Sequence, residues 1–191
     1  MKDKKISGFI LAGGKNSRMG SDKGLLVVKG KRIIEHLIEE LEQVVDDIII
    51  ISNEENYNYL GYRVYRDILK NRGPMGGIHT ALTFSKTRKN LIVGCDMPFL
   101  NRSIFQFIVD NSFGFDIAVP INNEKFEPLC AVYNSSCVER FSEHLKKNKL
   151  KIQDVLKEFQ TNSININNTK FDSRYFTNIN TPEELSQINS L

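Results

Sequence analysis

Apolar residues in this chain come in short β-branched runs separated by longer stretches of helical period. Ile6, Phe9, Ile10 and Leu11 predict a first strand. Ile48–Ile51 predicts a second, buried on both faces, because four isoleucines in a row leave no polar side for water. Tyr62–Tyr65 and Leu91–Cys95 read as further strands, followed by Asp116–Pro120, Leu129–Tyr133 and Tyr175–Ile179. Between them, Ile33, Ile34, Leu37, Ile38, Leu41 and Val44 recur every three or four positions, which predicts an amphipathic helix over residues 32–45. Helices are also expected from Asn101 to Val109, over residues 135–147 and from Ile152 to Phe159. Ile78, Ala81, Leu82 and Phe84 should begin another after the glycine-proline loop NRGPMGG. Thr181-Pro182-Glu183-Glu184 has the cap, proline and acids of a helix start. Residues 161–168 are rich in asparagine and alternate only weakly.

Strand and helix therefore alternate. The expected fold is α/β: a single-domain, three-layer α/β/α arrangement on a mostly parallel mixed sheet. The strand, polar turn and strand between Asp116 and Tyr133 permit an antiparallel pairing late in that sheet. A length of 191 residues suits one domain with a full core. No repeat, low-complexity segment or linker divides it.

Composition narrows the function classes. A net charge of +3 is too small to argue by itself for nucleic acid or membrane binding. Three cysteines, Cys95, Cys130 and Cys137, with no C-x-x-C pair, point to a reducing compartment and against zinc or a disulfide framework. The apolar run after MKDKK is shorter than the roughly 7–15 residues of a signal-peptide core. No stretch approaches the ~20 apolar residues that span a bilayer. The expectation is a cytoplasmic protein.

The chemistry gathers at the predicted carboxyl ends of strands, where open α/β sheets bind ligands. The first strand runs into LAGGKNSRMGSDKG, which combines Gly13, Gly14, Gly20 and Gly24 with Lys15, Arg18 and Lys23. Glycines let backbone amides approach an anion, and interleaved cations suit phosphate. Neither the Walker pattern nor G-x-G-x-x-G fits this loop. The plainer alternative is a surface turn with solvated charges. Asn53, after the isoleucine strand, is either a base or ribose contact or a turn asparagine. Asp67 ends the next strand, and His79 falls on the first turn of the helix after NRGPMGG, either toward a ligand or at the surface. His36 lies beside an apolar stripe and reads as structural. Asp96, in GCDMPFL, is placed to hold a divalent cation bridging phosphates, or else to cap the helix near Asn101. Lys146, Lys147, Lys149 and Lys151 form either a solvated face or a contact for an anionic substrate.

Taken together, the LAGGKNSRMGSDK loop, Asn53, Asp67, GPMGGIHTAL, CDMPFL, EPLCAVY and FTNINTPEEL closely resemble the molybdenum cofactor guanylyltransferases. These are nucleotidyltransferases with a nucleotide-diphospho-sugar transferase-like fold, and the resemblance runs from about residue 6 to 187. It implies transfer of GMP from GTP to molybdopterin-bound molybdenum, with release of pyrophosphate and magnesium (Mg2+) as cofactor. It implies that the Leu11-Ala12-Gly13 backbone, with Gly14, meets the guanine and ribose side of GTP. Lys23 with Arg18 would neutralise phosphate, Asp67 would line the nucleotide pocket, and Asp96 would hold the metal. Asn53 falls near a nucleotide contact of the family, while Asn178 and Asn180 fall near its metal or pterin. The nucleotide-binding half is then about 1–100 and the acceptor-binding half about 101–191, with the pterin expected between about Glu124 and Lys151. Protein partners in cofactor delivery are implied; nucleic acid and membrane are not. Related cytidylyltransferases typically have Ala-Ala-Gly where this chain has Ala12-Gly13-Gly14, which favours GTP over CTP. A missing β-carbon at position 13 would leave room for a purine. The alternatives are a cytidylyl or other small nucleotidyltransferase, and a non-catalytic nucleotide-binding module.

Overall fold

The computed structural model describes residues 5–13 and 22–189. The first apolar run forms strand β1, Ile6–Leu11, near the middle of the main sheet. A 3-10 turn at Lys23–Leu25 leads to a small hairpin, β2 (Val27–Val28) and β3 (Lys31–Arg32), and then to helix α1, Ile33–Leu41. His36 serves this corner structurally, with its Nε2 3.0 Å from the Val28 carbonyl oxygen. Strand β4 is Asp47–Ile51, β5 is Arg63–Tyr65, helix α2 is Gly73–Phe84 and β6 is Lys89–Gly94. Helix α3, Arg102–Asp110, precedes β7 (Ile117–Asn122), the short β8 (Lys125–Phe126) and β9 (Cys130–Asn134). Helices α4 (Val138–Lys146) and α5 (Ile152–Leu156) lead to β10, Thr161–Asn165, and the last helix is α6, Pro182–Asn189. None of the described helices is long and apolar enough to cross a membrane.

The sheet runs β10-β7-β9-β6-β1-β4-β5, with β8 on β7. β1 pairs in parallel with both β4 and β6, β4 with β5, and β7 with β10. β9 is antiparallel to β6 and β7, so a reversed strand interrupts a parallel array. Side chains alternate across the sheet, as a period of two requires. Ile10 of β1 joins a core with Ile34, Leu37, Phe105 and Ile188, beneath α1, α3 and α6. Phe9 joins one with Ile78, Phe141 and Leu156, beneath α2, α4 and α5. These two cores on the faces of one mixed sheet are the expected three layers.

Three elements differ from the sequence pattern. Helix α2 begins at Gly73, so the glycines lie inside its first turns rather than in a loop. A β-carbon at position 77 would sit 2.8 Å from Leu11 Cδ1, which is why the helix can lie so close to β1. Residues 161–165 do form a strand, an edge position that tolerates asparagines because only one neighbour and one face need satisfying. Tyr175–Ile179 is not a strand. Asp172 Oδ1 accepts from the Arg174 amide at 2.8 Å and winds Ser173–Phe176 into a 3-10 turn. Phe176 and Ile179 are buried by packing instead.

A buried lysine fixes the start of β6. The Lys89 ammonium is 8% exposed and donates to the carbonyls of Ser112, at 2.7 Å, and Phe115, tying the α3–β7 turn to the sheet. Lys89→Met keeps the aliphatic stem but strands both carbonyls. The expected loss is about 1–3 kcal/mol, read as a fall of several degrees in thermal unfolding; an unchanged melting temperature would refute this anchoring role.

Candidate functional site

The carboxyl ends of the parallel strands open onto a cleft of about 810 Å³, within the range of small-molecule sites. Hydrogen bonds continue beyond the strands and fix where each loop begins. The Ala12 amide donates to Ile51 O at 2.9 Å, that of Ser52 to Tyr65 O at 2.9 Å, and that of Cys95 to Leu11 O at 3.2 Å. Leu11, Ala12 and Gly13 form one wall. Gly13 has φ +122°, a region that side chains disfavour, while the nearest atom to an added β-carbon would be Ser52 Oγ at 3.6 Å. The backbone's conformation, more than room for a purine, therefore demands glycine here.

Lys23 and Asp96 line one end of this cleft, and Asn180, outside its wall, reaches Lys23 there. The Lys23 ammonium lies 3.5 Å from Asp96 Oδ2 and 2.6 Å from Asn180 Oδ1. Each is set by its own local device. Asp22 caps the turn that carries Lys23 by accepting from the Gly24 amide at 3.2 Å, and it also accepts from the buried Tyr57 hydroxyl. Burial, joined by the charges of Cys95 and Asp22, pushes the Tyr57 phenol far up and keeps it a neutral donor. Gly24 packs so tightly that a β-carbon would lie 2.6 Å from that hydroxyl. Asp96 is relieved of the capping role, because Asn101 accepts from the amides of Ser103 (3.0 Å) and Ile104 (3.3 Å) at the start of α3. Asp96 O accepts from the Ile179 amide at 2.9 Å, which pins the C-terminal segment against the β6 turn. Glu184 Oε2 accepts from the amides of Asn180 (2.6 Å) and Thr181 (3.1 Å), while Thr181 Oγ1 accepts from Glu184 N at 3.2 Å. This capping box starts α6 and aims Asn180 at once.

The far wall holds Asn53 and Asp67. Asn53 Nδ2 donates to Asp67 Oδ2 at 2.9 Å, and the Asp67 amide donates back to Asn53 Oδ1 at 3.2 Å. The other carboxylate oxygen, Asp67 Oδ1, is shielded from water and has no hydrogen-bond partner among the described residues.

Other expected residues stand apart. Asn178 is exposed and is not part of the cleft wall. Gly14 and Arg18, with Lys15 and Gly20, lie outside the described residues. His79 is 8% exposed, neither at the surface nor in the cleft wall; burial first, and then Lys146, lower its pKa. Of the lysine-rich joint after α4, the residue tied to the cleft is Asn148, which accepts from the Arg72 guanidinium. The supporting residues Asp22, Tyr57 and Ile179 were not foreseen, whereas the Thr181-x-x-Glu184 spacing announces its own cap. Half-buried Glu127 opens the EPLCAVY segment, just before β9. Burial raises its pKa to about 7, partly opposed by the Asn122 amide and reinforced by Asp96.

Comparisons with known proteins place this cleft in a family. The model of the MobA-like NTP transferase domain matches residues 8–163. The chain belongs to this family. Within it, relatives named "Probable molybdenum cofactor guanylyltransferase" match along nearly the whole length. The protein from Flavobacterium johnsoniae is 33% identical over 185 residues, covering 96% of each chain. That from Pelotomaculum thermopropionicum is 36% identical over 183 residues, covering 94% of this chain and 89% of its own. The fold also matches the crystal structure of molybdopterin-guanine dinucleotide biosynthesis protein A from Archaeoglobus fulgidus, with a TM-score of 0.80 and 24% identity. That match covers 96% of this chain and 97% of the other. In this MobA-like domain the cleft lies at the carboxyl ends of the parallel strands, with Lys23 and Asp96 in its wall.

Glu127 gives the MobA-like chain a distinctive pH dependence. The folded state keeps the Glu127 proton up to about 7, whereas the unfolded chain releases it near its ordinary value of 4.5. Between those values the folded state binds more protons, so this group's contribution to stability falls as pH rises. Glu127→Gln should flatten the melting-temperature difference between pH 5 and pH 8 by the equivalent of about 1 kcal/mol after solvent screening. Identical pH profiles for the two proteins would refute it.

Proposed function

We infer that this chain transfers GMP from GTP to molybdopterin-bound molybdenum cofactor, giving the guanine dinucleotide form and pyrophosphate. The observation that carries the reading is the convergence of Lys23, Asp96 and Asn180 at one end of a cleft whose far wall is the Asn53–Asp67 pair. One end suits phosphates and the other a base. Membership of the guanylyltransferase branch supplies the chemistry.

In this reading the acceptor's terminal phosphate oxygen attacks the α-phosphorus in line. The bond to the bridging oxygen of the β-phosphate breaks, and the electron pair leaves with pyrophosphate. A phosphate nucleophile needs no strong general base, so the chain's task is to position and to absorb charge. Lys23 is placed to neutralise phosphate, with Arg18 as a further cation from the same loop. The Leu11–Gly13 backbone is assigned the nucleoside side, and Gly14 is assigned there on the family resemblance alone. Asn180 orients Lys23 at 2.6 Å. Asn178 is assigned to the acceptor side on the family resemblance alone.

Magnesium is the proposed cofactor. Asp96 Oδ2 and Asn180 Oδ1 are hard oxygen donors that already converge on a cation, the Lys23 ammonium. Among the described residues no group of three histidine, cysteine or carboxylate side chains forms a self-sufficient metal cage. That fits an ion completed by phosphate oxygens and water. Bound there, it would draw charge from the departing pyrophosphate.

The nucleotide-binding half, about 1–100, and the acceptor-binding half, about 101–191, share one sheet on this reading. A cytoplasmic setting suits Cys95, Cys130 and Cys137, which are all buried and unpaired.

Pyrophosphate release should require GTP, magnesium and the molybdenum-loaded pterin, with little turnover on CTP. Equal rates on GTP and CTP would remove the guanine assignment. Asp96→Ala should keep its cooperative unfolding transition while losing on the order of 100- to 1000-fold in turnover. Full activity in that variant would displace the proposed metal site.

A further inference from the structure

We propose that the Lys23 ammonium stands on the seat of the catalytic cation, between Asp96 Oδ2 and Asn180 Oδ1, and must yield it to the metal. Metal loading and nucleotide loading are then coupled through one side chain. This rests on the magnesium-dependent guanylyl-transfer reading and deepens it by naming what regulates entry of the ion.

The two oxygens converge on a single point. Lys23 Nζ lies 2.6 Å from Asn180 Oδ1 and 3.5 Å from Asp96 Oδ2. The other Asp96 oxygen turns back toward its own chain, since a β-carbon on Gly94 would lie 3.1 Å from Oδ1. Oδ2 is the oxygen left for a cation, and it is the one that faces the lysine. Asn180 has a single side-chain oxygen, and that too is given to Lys23. Magnesium binds hard oxygens at roughly 2.0–2.1 Å. An ion bridging this pair would stand in the ammonium's place, and Coulomb repulsion opposes a monovalent and a divalent cation packed side by side. Ammonium and metal are therefore alternatives.

Lys23 can leave without disturbing the site. Its side chain and that of Asp96 are 18% and 26% exposed, so the ion pair is partly screened and exchanged at small cost. The flexible four-carbon stem swings while its turn stays, because Asp22 caps that turn at the Gly24 amide. The Asp96 carbonyl and the Asn180 amide keep their own bonds, to Ile179 at 2.9 Å and to Glu184 at 2.6 Å. In the cleft the departing ammonium meets the triphosphate, which carries more charge than one carboxylate. Phosphate draws the lysine off the two oxygens, and the freed oxygens take the metal. Each ligand then raises the affinity for the other by the same factor.

Equilibrium binding of Mn2+ to the full chain, followed by electron paramagnetic resonance without nucleotide or acceptor, tests the exchange. Lys23→Met, which keeps most of the stem and removes the charge, should bind the ion on the order of tenfold more tightly than the unmodified protein. Adding Asp96→Asn to Lys23→Met should abolish that gain, which locates the ion at Asp96. Equal Mn2+ affinity in Lys23→Met and the unmodified protein overturns the proposal while leaving guanylyl transfer standing. A second readout needs no change at Lys23. Saturating magnesium should speed acylation of Lys23 by an amine-reactive ester several-fold, read by peptide mass spectrometry, because the ammonium leaves its partly covered position. An unchanged labelling rate overturns the proposal whether or not Lys23→Met folds. Failure of both proteins to bind the ion, with GTP present as well, would remove the magnesium assignment and this proposal together.

Discussion

The ammonium of Lys23 holds together residues 73 and 157 positions away along the chain. Without it, the turn after β6 and the segment before α6 would set two oxygen-bearing side chains toward each other with nothing between them. The contact is asymmetric, short to Asn180 at 2.6 Å and long to Asp96 at 3.5 Å. That asymmetry matters for a site expected to receive phosphates. A long, partly exposed ion pair can be exchanged for a new partner with little loss, whereas each side chain's position is secured by backbone bonds that a ligand need not disturb. Asp22 caps the lysine's turn, Ile179 grips the Asp96 carbonyl, and Glu184 holds the Asn180 amide. The end of the cleft is therefore organised by the chain itself, which in the proposed reaction would be electrostatic assistance that costs no rearrangement.

What could be read from the sequence follows the strength of the local signals. Buried β-branched runs such as Ile48–Ile51 fit only the middle of a sheet, and β1, β4 and β6 occupy it. Polar residues directly after those runs had to fall on one edge, so Lys23, Asn53, Asp67 and Asp96 all line one cleft. Where two local signals competed, the pattern misled. Tyr175–Ile179 reads as a strand, but Asp172 diverts the chain into a turn, and Phe176 and Ile179 are buried without pairing. Thr161–Asn165 carries too few apolar residues to announce itself, and its register comes from pairing with β7. The glycines before Ile78 suggested a loop because glycine usually breaks helices. Here contact with Leu11 rewards the missing side chain.

Support for the site was the least legible part. Tyr57 lies in a turn with no periodic pattern, yet it is fully buried and its hydroxyl fixes Asp22. No one-dimensional signal links positions 22 and 57. The same holds for Gly24, whose neighbourhood suggested phosphate, although its lack of a side chain is explained by the close approach of Tyr57 and Cys95.

The reversed strand brings a later part of the chain to the same edge of the sheet. In a parallel array only carboxyl ends reach the binding edge, so each strand delivers residues there once, as it finishes. β9 runs the other way, and its beginning therefore reaches that same edge. The Gly94 amide at the end of β6 donates to Leu129 O at 2.8 Å, just before β9 starts. An added β-carbon on Gly94 would meet both Asp96 Oδ1, at 3.1 Å, and the Leu129 side chain, at 3.3 Å. Residues 127–129 thus stand directly beside the aspartate. A strand entering the edge supplies Leu129 to the cleft wall, while strands leaving it supply Asn53, Asp67 and Asp96. Antiparallel insertion places the residues before β9 against Asp96 with no long loop to carry them there. The raised pKa of Glu127 is the electrostatic trace of that closeness, since burial and the Asp96 charge act on it together.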